Sequence, residues 1–190
     1  DRHPAAFTQW RDRWAERARP VHVEVHNNGV QASAARPGAV GDLRFGVEQA
    51  GQDAPAVVAA GDSLYRVALR PVLERFRATA AHALPALPVS DPDVLRQSSV
   101  LTLDDGQVQG VVHAPDTPPS RWVSPAFYLV APEGLAHVAS YLDRGGEADT
   151  LGRFIDDLAQ HQRIEAVPLA DPSRADEALR YHINTPAEHA

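Results

Sequence analysis

The chain has 190 residues, 44% of them hydrophobic, and a formal net charge of -7 at pH 7, which suits one domain with a substantial core. The acidic balance argues against nonspecific binding to nucleic acid or to an anionic membrane, and no apolar run reaches the roughly 18 residues of a bilayer-spanning helix. The sequence has no cysteine, methionine or lysine, which excludes disulfides, thiolate metal sites and lysine-based chemistry.

The beginning of the chain carries aromatic residues at helical spacing. Phe7, Trp10 and Trp14 are separated by three and four residues, which predicts an amphipathic helix over residues 5–18 with the tryptophans in the core or at an interface. Because the chain opens on Asp1, we expect the sequence to begin inside a longer reading frame. The lack of a signal-peptide pattern favours a cytoplasmic location.

Residues 21–26 alternate between apolar and polar side chains, which predicts a strand. Its polar face carries His22, Glu24 and His26. Two imidazoles and a carboxylate could bind a transition metal, but a solvated polar face is the favoured interpretation. A loop is predicted to follow, up to the glycine that begins the next helix.

Residues 38–42 have the sequence Gly-Ala-Val-Gly-Asp and begin a predicted helix. Glycine lets a ligand approach the backbone, and helix N-termini favour anions. Gly38 is therefore a candidate for binding the base or a phosphate of a nucleotide. A simple turn from loop to helix is the alternative, and the pattern alone favours it.

A short apolar run at residues 56–60 ends in Gly61 and Asp62. The run predicts a buried parallel strand, and a helix is predicted over residues 68–80. In open α/β sheets, ligands bind beyond the carboxyl ends of the strands. Asp62 is therefore a candidate metal or phosphate-site residue; the alternative is an aspartate that only caps a turn.

The remaining elements alternate between strands and helices. An Asp-Asp-Gly turn at residues 104–106 predicts a hairpin. The full set of predictions is strands at 83–89, 100–103, 108–112, 122–130 and 164–169, helices at 91–97, 132–143 and 148–161, a loop at 114–121 and a final segment at 180–184. This order predicts one α/β domain over residues 1–190, a Rossmann-like layered fold with a mostly parallel sheet and an inserted antiparallel hairpin.

The order of these signals resembles the sugar-1-phosphate nucleotidylyltransferase family, of the glucose-1-phosphate thymidylyltransferase type. The similarity runs along nearly the whole chain and keeps its spacing. The matching segments are Asn28-Gly29, residues 38–42, Gly61-Asp62-Ser63-Leu64-Tyr65, Asp91-Pro92-Asp93, the hairpin with Pro115 after it, Ser124-Pro125-Ala126-Phe127-Tyr128 and Ile183-Asn184-Thr185-Pro186.

The resemblance implies a transfer of a nucleotidyl group from a nucleoside triphosphate to a sugar 1-phosphate, with release of pyrophosphate and with Mg²⁺ as cofactor. It implies that Gly38, Gly61 and Asp62 bind the nucleotide and that Asp62 is a magnesium ligand. Ser124 and Tyr128 would line the sugar pocket. It also implies that the family's N-terminal phosphate-loop portion is missing from this chain.

Two departures from the family pattern affect the site. The chain has His113-Ala114-Pro115 where the family has Glu-Lys-Pro, and it has His182 where the family has a second magnesium aspartate. We predict a substrate-binding position for His113 and a metal-binding position for His182. The two imidazoles could also meet across the cleft in a second metal or phosphate site.

Arginine is the other candidate for binding phosphate, since a guanidinium group pairs well with it. Arg36 and Arg121 could take this role, although surface arginines are common.

Two functions therefore remain open. The chain is either a nucleotidylyltransferase whose phosphate loop lies outside this sequence or a noncatalytic relative that acts as a binding or interaction module. Such a module could pair with a partner subunit or a second copy across an exposed sheet edge. Neither nucleic acid nor a membrane is an expected partner.

Overall fold

A computed structural model describes residues 4–16, 22–30, 36–65, 68–169 and 180–182. The helices are α1 (Pro4–Ala15), α2 (Gly38–Ala50), α3 (Arg70–Thr79), α4 (Pro92–Leu95), α5 (Pro132–Asp143) and α6 (Leu151–His161). The strands are β1 (Ala56–Ala59), β2 (Ser63–Tyr65), β3 (His82–Pro88), β4 (Ser99–Asp104), β5 (Gln107–His113), β6 (Trp122–Val123), β7 (Phe127–Val130), β8 (Ile164–Pro168) and β9 (Arg180–His182).

Seven strands form one sheet in the order β1-β7-β3-β6-β4-β5-β8, and β8 also pairs with β3. The strands from β3 to β8 in this order therefore close into a ring of five. The β3–β8 pairing is parallel, whereas the other pairings described in this sheet are antiparallel. The mixed α/β class is confirmed, but the prediction of a mostly parallel, Rossmann-like sheet is wrong.

The connections explain why antiparallel pairs dominate. Parallel neighbours need a crossover of about a dozen or more residues, and the parallel strands β3 and β8 are joined by the long connection of residues 89–163, which contains α5 and α6. The predicted hairpin is confirmed, because Asp105 and Gly106 join β4 to β5 with φ values of 42° and 76°. Positive φ at both central residues matches the tight turns that suit hairpins.

Strand β1 differs most from its prediction. It pairs with β7 in antiparallel register and lies at the end of the strand order. Its residues alternate between half-buried and exposed, and Val57 is 56% exposed. The prediction of a buried parallel strand is therefore wrong, since an apolar run four residues long carries no information about how many neighbours it has.

The N-terminal predictions are confirmed only in part. The helix is present as α1, but Phe7 and Trp10 are exposed, so Trp10 is not a core residue of the described structure. Residues 22–30 contain no strand, and the strand prediction is wrong for the part of 21–26 that is described. Among the described residues, no helix is both long and apolar enough to cross a membrane.

Strand β3 is the centre of the core, because all seven of its residues are buried. Leu84 and Ala86 pack into the main hydrophobic cluster with residues of α2, α5 and α6. Ala83 packs into a second cluster with Val72 of α3 and with Leu129 of β7. Since successive side chains of a strand point to opposite faces, helices cover β3 on both sides.

A buried carboxylate lies where the ring closes. Glu165 of β8 is 1% exposed, and it pairs with Ala83 of β3 on one side and with Gln107 of β5 on the other. Two nitrogens of Arg75 donate to its Oε2 at 2.7 and 3.1 Å, and Arg163 donates to its Oε1 at 2.6 Å. The two guanidinium groups satisfy the carboxylate, which would otherwise be costly to bury.

We expect Glu165→Gln to lower the free energy of unfolding by about 2 kcal/mol, because it removes the charge and turns an amide donor toward a guanidinium. Chemical denaturation monitored by circular dichroism measures this loss. Glu74→Gln is the matched control, since Glu74 forms an exposed pair with Arg70 on α3 worth at most about 0.5 kcal/mol. Equal effects of the two changes would contradict a structural role for the buried carboxylate.

Candidate functional site

A groove of about 630 Å³ lies between α2 and the exposed strand β1. Its walls are mostly apolar, and among the residues that line it Asp42 and Asp62 are the charged ones. The full lining is Ala39, Asp42, Leu43, Gly46, Val47, Ala50, Gly51, the run from Ala56 to Asp62, Leu135 and Leu151. Among the residues that the structure describes, the groove therefore combines a long apolar wall with two carboxylates and no cationic side chain.

Each of the two carboxylates accepts a hydrogen bond from another side chain. The side-chain amide of Asn28 donates to Oδ1 of Asp42 at 2.7 Å, and the Ser63 hydroxyl donates to Oδ1 of Asp62 at 3.3 Å. Asp62 is exposed, as is Gly61. Both therefore lie where a ligand in the groove could reach them.

Residues 124–128, which are predicted to line a sugar pocket, lie near the C-terminal end of β1. The backbone N–H of Ala60, two residues before Asp62, donates to the carbonyl of Ala126 at 3.1 Å. The Ser124 hydroxyl donates to the Tyr128 hydroxyl at 3.2 Å, and both residues are buried. The structure thus brings residues 124–128 to the carboxylate end of the groove.

His113 is linked to that segment through Ser99 of β4. The hydroxyl of Ser99 lies 3.2 Å from Nδ1 of His113, and the carbonyl of Ser99 accepts a hydrogen bond from the N–H of Ser124 at 2.9 Å. The three predicted substrate-binding residues, His113, Ser124 and Tyr128, therefore form one connected polar cluster. Their binding of a substrate stays a prediction.

Gly38 itself does not line the groove, although Ala39 and Asp42 of the same segment do. Gly38 has a φ of 78°, and a Cβ added there would lie 2.4 Å from the carbonyl oxygen of Ala148. That carbonyl also accepts a hydrogen bond from the N–H of Val40 at 2.8 Å. The first turn of α2 is therefore packed against the backbone before α6, and this packing explains the glycine.

The remaining predicted ligands lie at separate places. Strand β9 pairs with β2 so that His182 is opposite Ser63, the residue after Asp62. The predicted pair of metal ligands, Asp62 and His182, stays a prediction. Arg36 is exposed just before α2, and Arg121 is exposed just before β6.

The predicted N-terminal set of His22, Glu24 and His26 does come together. The two imidazole Nε2 atoms lie 2.8 and 2.9 Å from the two carboxylate oxygens of Glu24. The hydrogen bond from His22, followed by that from His26, lowers the pKa of the Glu24 carboxyl. All three residues are exposed, in agreement with the solvated polar face that the sequence favours.

A second cluster of possible metal ligands, which the sequence did not predict, is made of His137 on α5 with Asp157 and His161 on α6. The spacing of four residues between Asp157 and His161 is a weak signal for one helix face. The third member is twenty residues earlier in the sequence, and its position depends on how the two helices pack. Asp42 was also missed as a groove residue, although it lies in a segment that the sequence had singled out.

No family model matches this sequence, and no curated protein matches it either. Among solved structures, the chain is similar to apo UDP-glucose pyrophosphorylase, with a TM-score of 0.59 and 16% sequence identity over 70% of this chain and 53% of that one. It is also similar to UDP-glucose pyrophosphorylase complexed with UDP-glucose, with a TM-score of 0.58 and 16% identity over 70% of this chain and 54% of that one. The chain thus has a fold similar to that of these proteins and spans about half of their length.

We expect Gly38→Ala to destabilise the protein by at least about 2 kcal/mol, because it adds a methyl group against the Ala148 carbonyl and forces alanine into a positive-φ conformation. Gly46→Ala is the matched control in the same helix. No atom lies within 4 Å of its Cβ position, so it should stabilise α2 by about 0.5–1 kcal/mol. Thermal unfolding measures both, and a neutral Gly38→Ala would contradict the packing role.

Proposed function

We propose that this chain is a nucleotidylyltransferase-type domain that binds a nucleoside triphosphate and a sugar 1-phosphate in the groove between α2 and β1. The observation that carries the proposal is the meeting of two sequence segments, 38–42 and 61–62, at one groove. In the family that the sequence resembles, these segments bind the nucleotide. A fold similar to that of UDP-glucose pyrophosphorylase supports the same assignment.

The groove offers different surfaces to the base and to the phosphates of a nucleotide. Its apolar wall offers a surface for a base, while a triphosphate would meet carboxylates and no cation among the lining residues. Carboxylate oxygens are the ligands that Mg²⁺ takes from proteins, and the ion uses substrate phosphates for its other positions. Asp62, with Asp42 nearby on the same groove, would hold Mg²⁺, which when bound offsets the charge of the phosphates.

In the proposed reaction, an oxygen of the sugar phosphate forms a bond to the α-phosphorus of the nucleotide. The bond from that phosphorus to the bridging oxygen of the β-phosphate breaks, and pyrophosphate leaves with the electron pair. The contribution of this chain is to position the reactants. The buried hydrogen bond between Ser124 and Tyr128 holds the 124–128 segment, which meets the chain two residues before Asp62. Arg36, which precedes α2, is the proposed arginine for binding phosphate.

A noncatalytic binding module is the second candidate. Two observations favour it: the described part of the groove lining contains no cation, and the chain has His113-Ala114 where the family that it resembles has glutamate and lysine. Among the described strands, β1 lies at one edge of the main sheet, where a partner subunit or a second copy could add a strand. Under this proposal the groove binds a nucleotide or nucleotide sugar without turning it over.

We expect calorimetric titration with UTP to give binding that depends on Mg²⁺. Asp62→Asn should weaken this binding at least about tenfold, because it replaces a charged metal ligand by a neutral one. Asp104→Asn is the control, since Asp104 is exposed in the hairpin, away from the groove. Equal, unchanged affinity in both variants would contradict the role of Asp62.

A second assay separates the two candidates. The enzyme proposal requires exchange of labelled pyrophosphate into UTP when a sugar 1-phosphate and Mg²⁺ are present. Magnesium-dependent binding without exchange would favour the noncatalytic module instead. The absence of nucleotide binding by the folded protein would contradict the enzyme and would favour a module that pairs with a partner subunit or a second copy.

A further inference from the structure

His137, Asp157 and His161 bring three donor atoms together where α5 packs against α6. These atoms all lie within 4.8 Å of one another, and none of the three residues lines the groove. We propose that they form a binding site for a divalent transition-metal ion, with zinc as the ion they suit best. This site is separate from the proposed magnesium position at Asp62.

The distances are close to those that a metal requires. Nε2 of His137 is 2.6 Å from Oδ2 of Asp157, and Nδ1 of His161 is 3.9 Å from the same oxygen. In a tetrahedral zinc site with bonds of about 2.0–2.1 Å, neighbouring ligand atoms are about 3.3 Å apart. These two separations need shifts of about 0.6–0.7 Å, one opening and one closing. The two imidazole nitrogens, which lie within 4.8 Å of each other, must approach by up to about 1.5 Å.

The first ligand is already held in place. His137 is only 11% exposed, and its ring packs against Phe154 and His161 with centroid distances of 6.2 and 5.1 Å. The hydroxyl of Ser140 donates to the carbonyl of His137 and lies 3.5 Å from its Nδ1. The hydroxyl oxygen can therefore accept a hydrogen bond from Nδ1–H, and in that tautomer the lone pair of Nε2 is available to a metal.

The donor set selects the kind of ion. Imidazole nitrogen suits zinc, copper and nickel, whereas Mg²⁺ and Ca²⁺ prefer sites made only of oxygen. Three protein ligands leave one tetrahedral position for water or another small ligand. His161 is 53% exposed, so this side of the site is open to solvent.

Three existing interactions compete with a metal, and the first is the 2.6 Å contact between Nε2 of His137 and Oδ2 of Asp157. The guanidinium of Arg144 lies 3.1 Å from Oδ2 of Asp157, and Nδ1 of His161 is 2.8 Å from the carbonyl oxygen of Asp157. Binding requires the guanidinium to move into solvent, where it is already half exposed, and His161 to present an unprotonated Nδ1.

The test is calorimetric titration with Zn²⁺ in a His22→Ala, His26→Ala background, which removes the exposed N-terminal set. We expect one ion per chain, and we expect either His137→Gln or His161→Gln to reduce affinity about 100-fold. Arg144→Ala should raise affinity by removing the competing cation. Arg153→Ala is the control for this change. Arg153, on α6, is as exposed as Arg144 but pairs with Glu147, so its removal should leave the affinity for Zn²⁺ unchanged.

Binding of Co²⁺ in place of Zn²⁺ provides a spectroscopic check. A tetrahedral site gives strong visible absorption, and this absorption should disappear in Asp157→Asn while far-UV circular dichroism shows that the variant is folded. The proposal is overturned if the background protein binds no Zn²⁺, or if the changes at His137 and His161 leave the affinity unaltered. The proposal is supported if Arg144→Ala binds Zn²⁺ more tightly while Arg153→Ala does not, and if removal of either imidazole abolishes binding.

Discussion

The parallel pairing of β3 with β8 is the constraint on which the rest of the structure depends. It closes five strands into a ring, and it places β3 between helices on both faces so that all of its residues are buried. The buried Glu165 lies in β8 at this closure and is held by Arg75 and Arg163. A buried carboxylate is tolerated there because both of its oxygens accept charged hydrogen bonds from side chains that still reach solvent.

The groove depends on a break within residues 122–130, which the sequence predicts to be one strand. Residues 122–130 form β6 and β7, which both pair with β3 but at different places. Between them Ala126 has a φ of 55°, and β7 continues outside the ring to pair with β1. Strand β1 therefore lies at an edge against α2, and its last residues bring Asp62 beside the 124–128 segment.

The sequence predicted local elements better than it predicted their partners. The hairpin at Asp105 and Gly106 was predictable because its turn residues determine its geometry. The edge position of β1 and the antiparallel sheet were not, since both depend on pairings between distant segments. The same contrast applies to the sites: segments 38–42 and 61–62 were recognised by resemblance, whereas the cluster around Asp157 depends on the packing of α5 against α6, which no local pattern reports.

The central claim is that the groove between α2 and β1 is the place where a nucleotide and its metal ion bind. Backbone amide NMR of the protein with UTP and Mn²⁺ in place of Mg²⁺ tests this most directly, because a paramagnetic ion broadens the signals of nearby residues. The account predicts broadening centred on residues 60–63 and 39–42 that depends on UTP. Broadening centred on another part of the chain, with the groove signals unchanged, would contradict it.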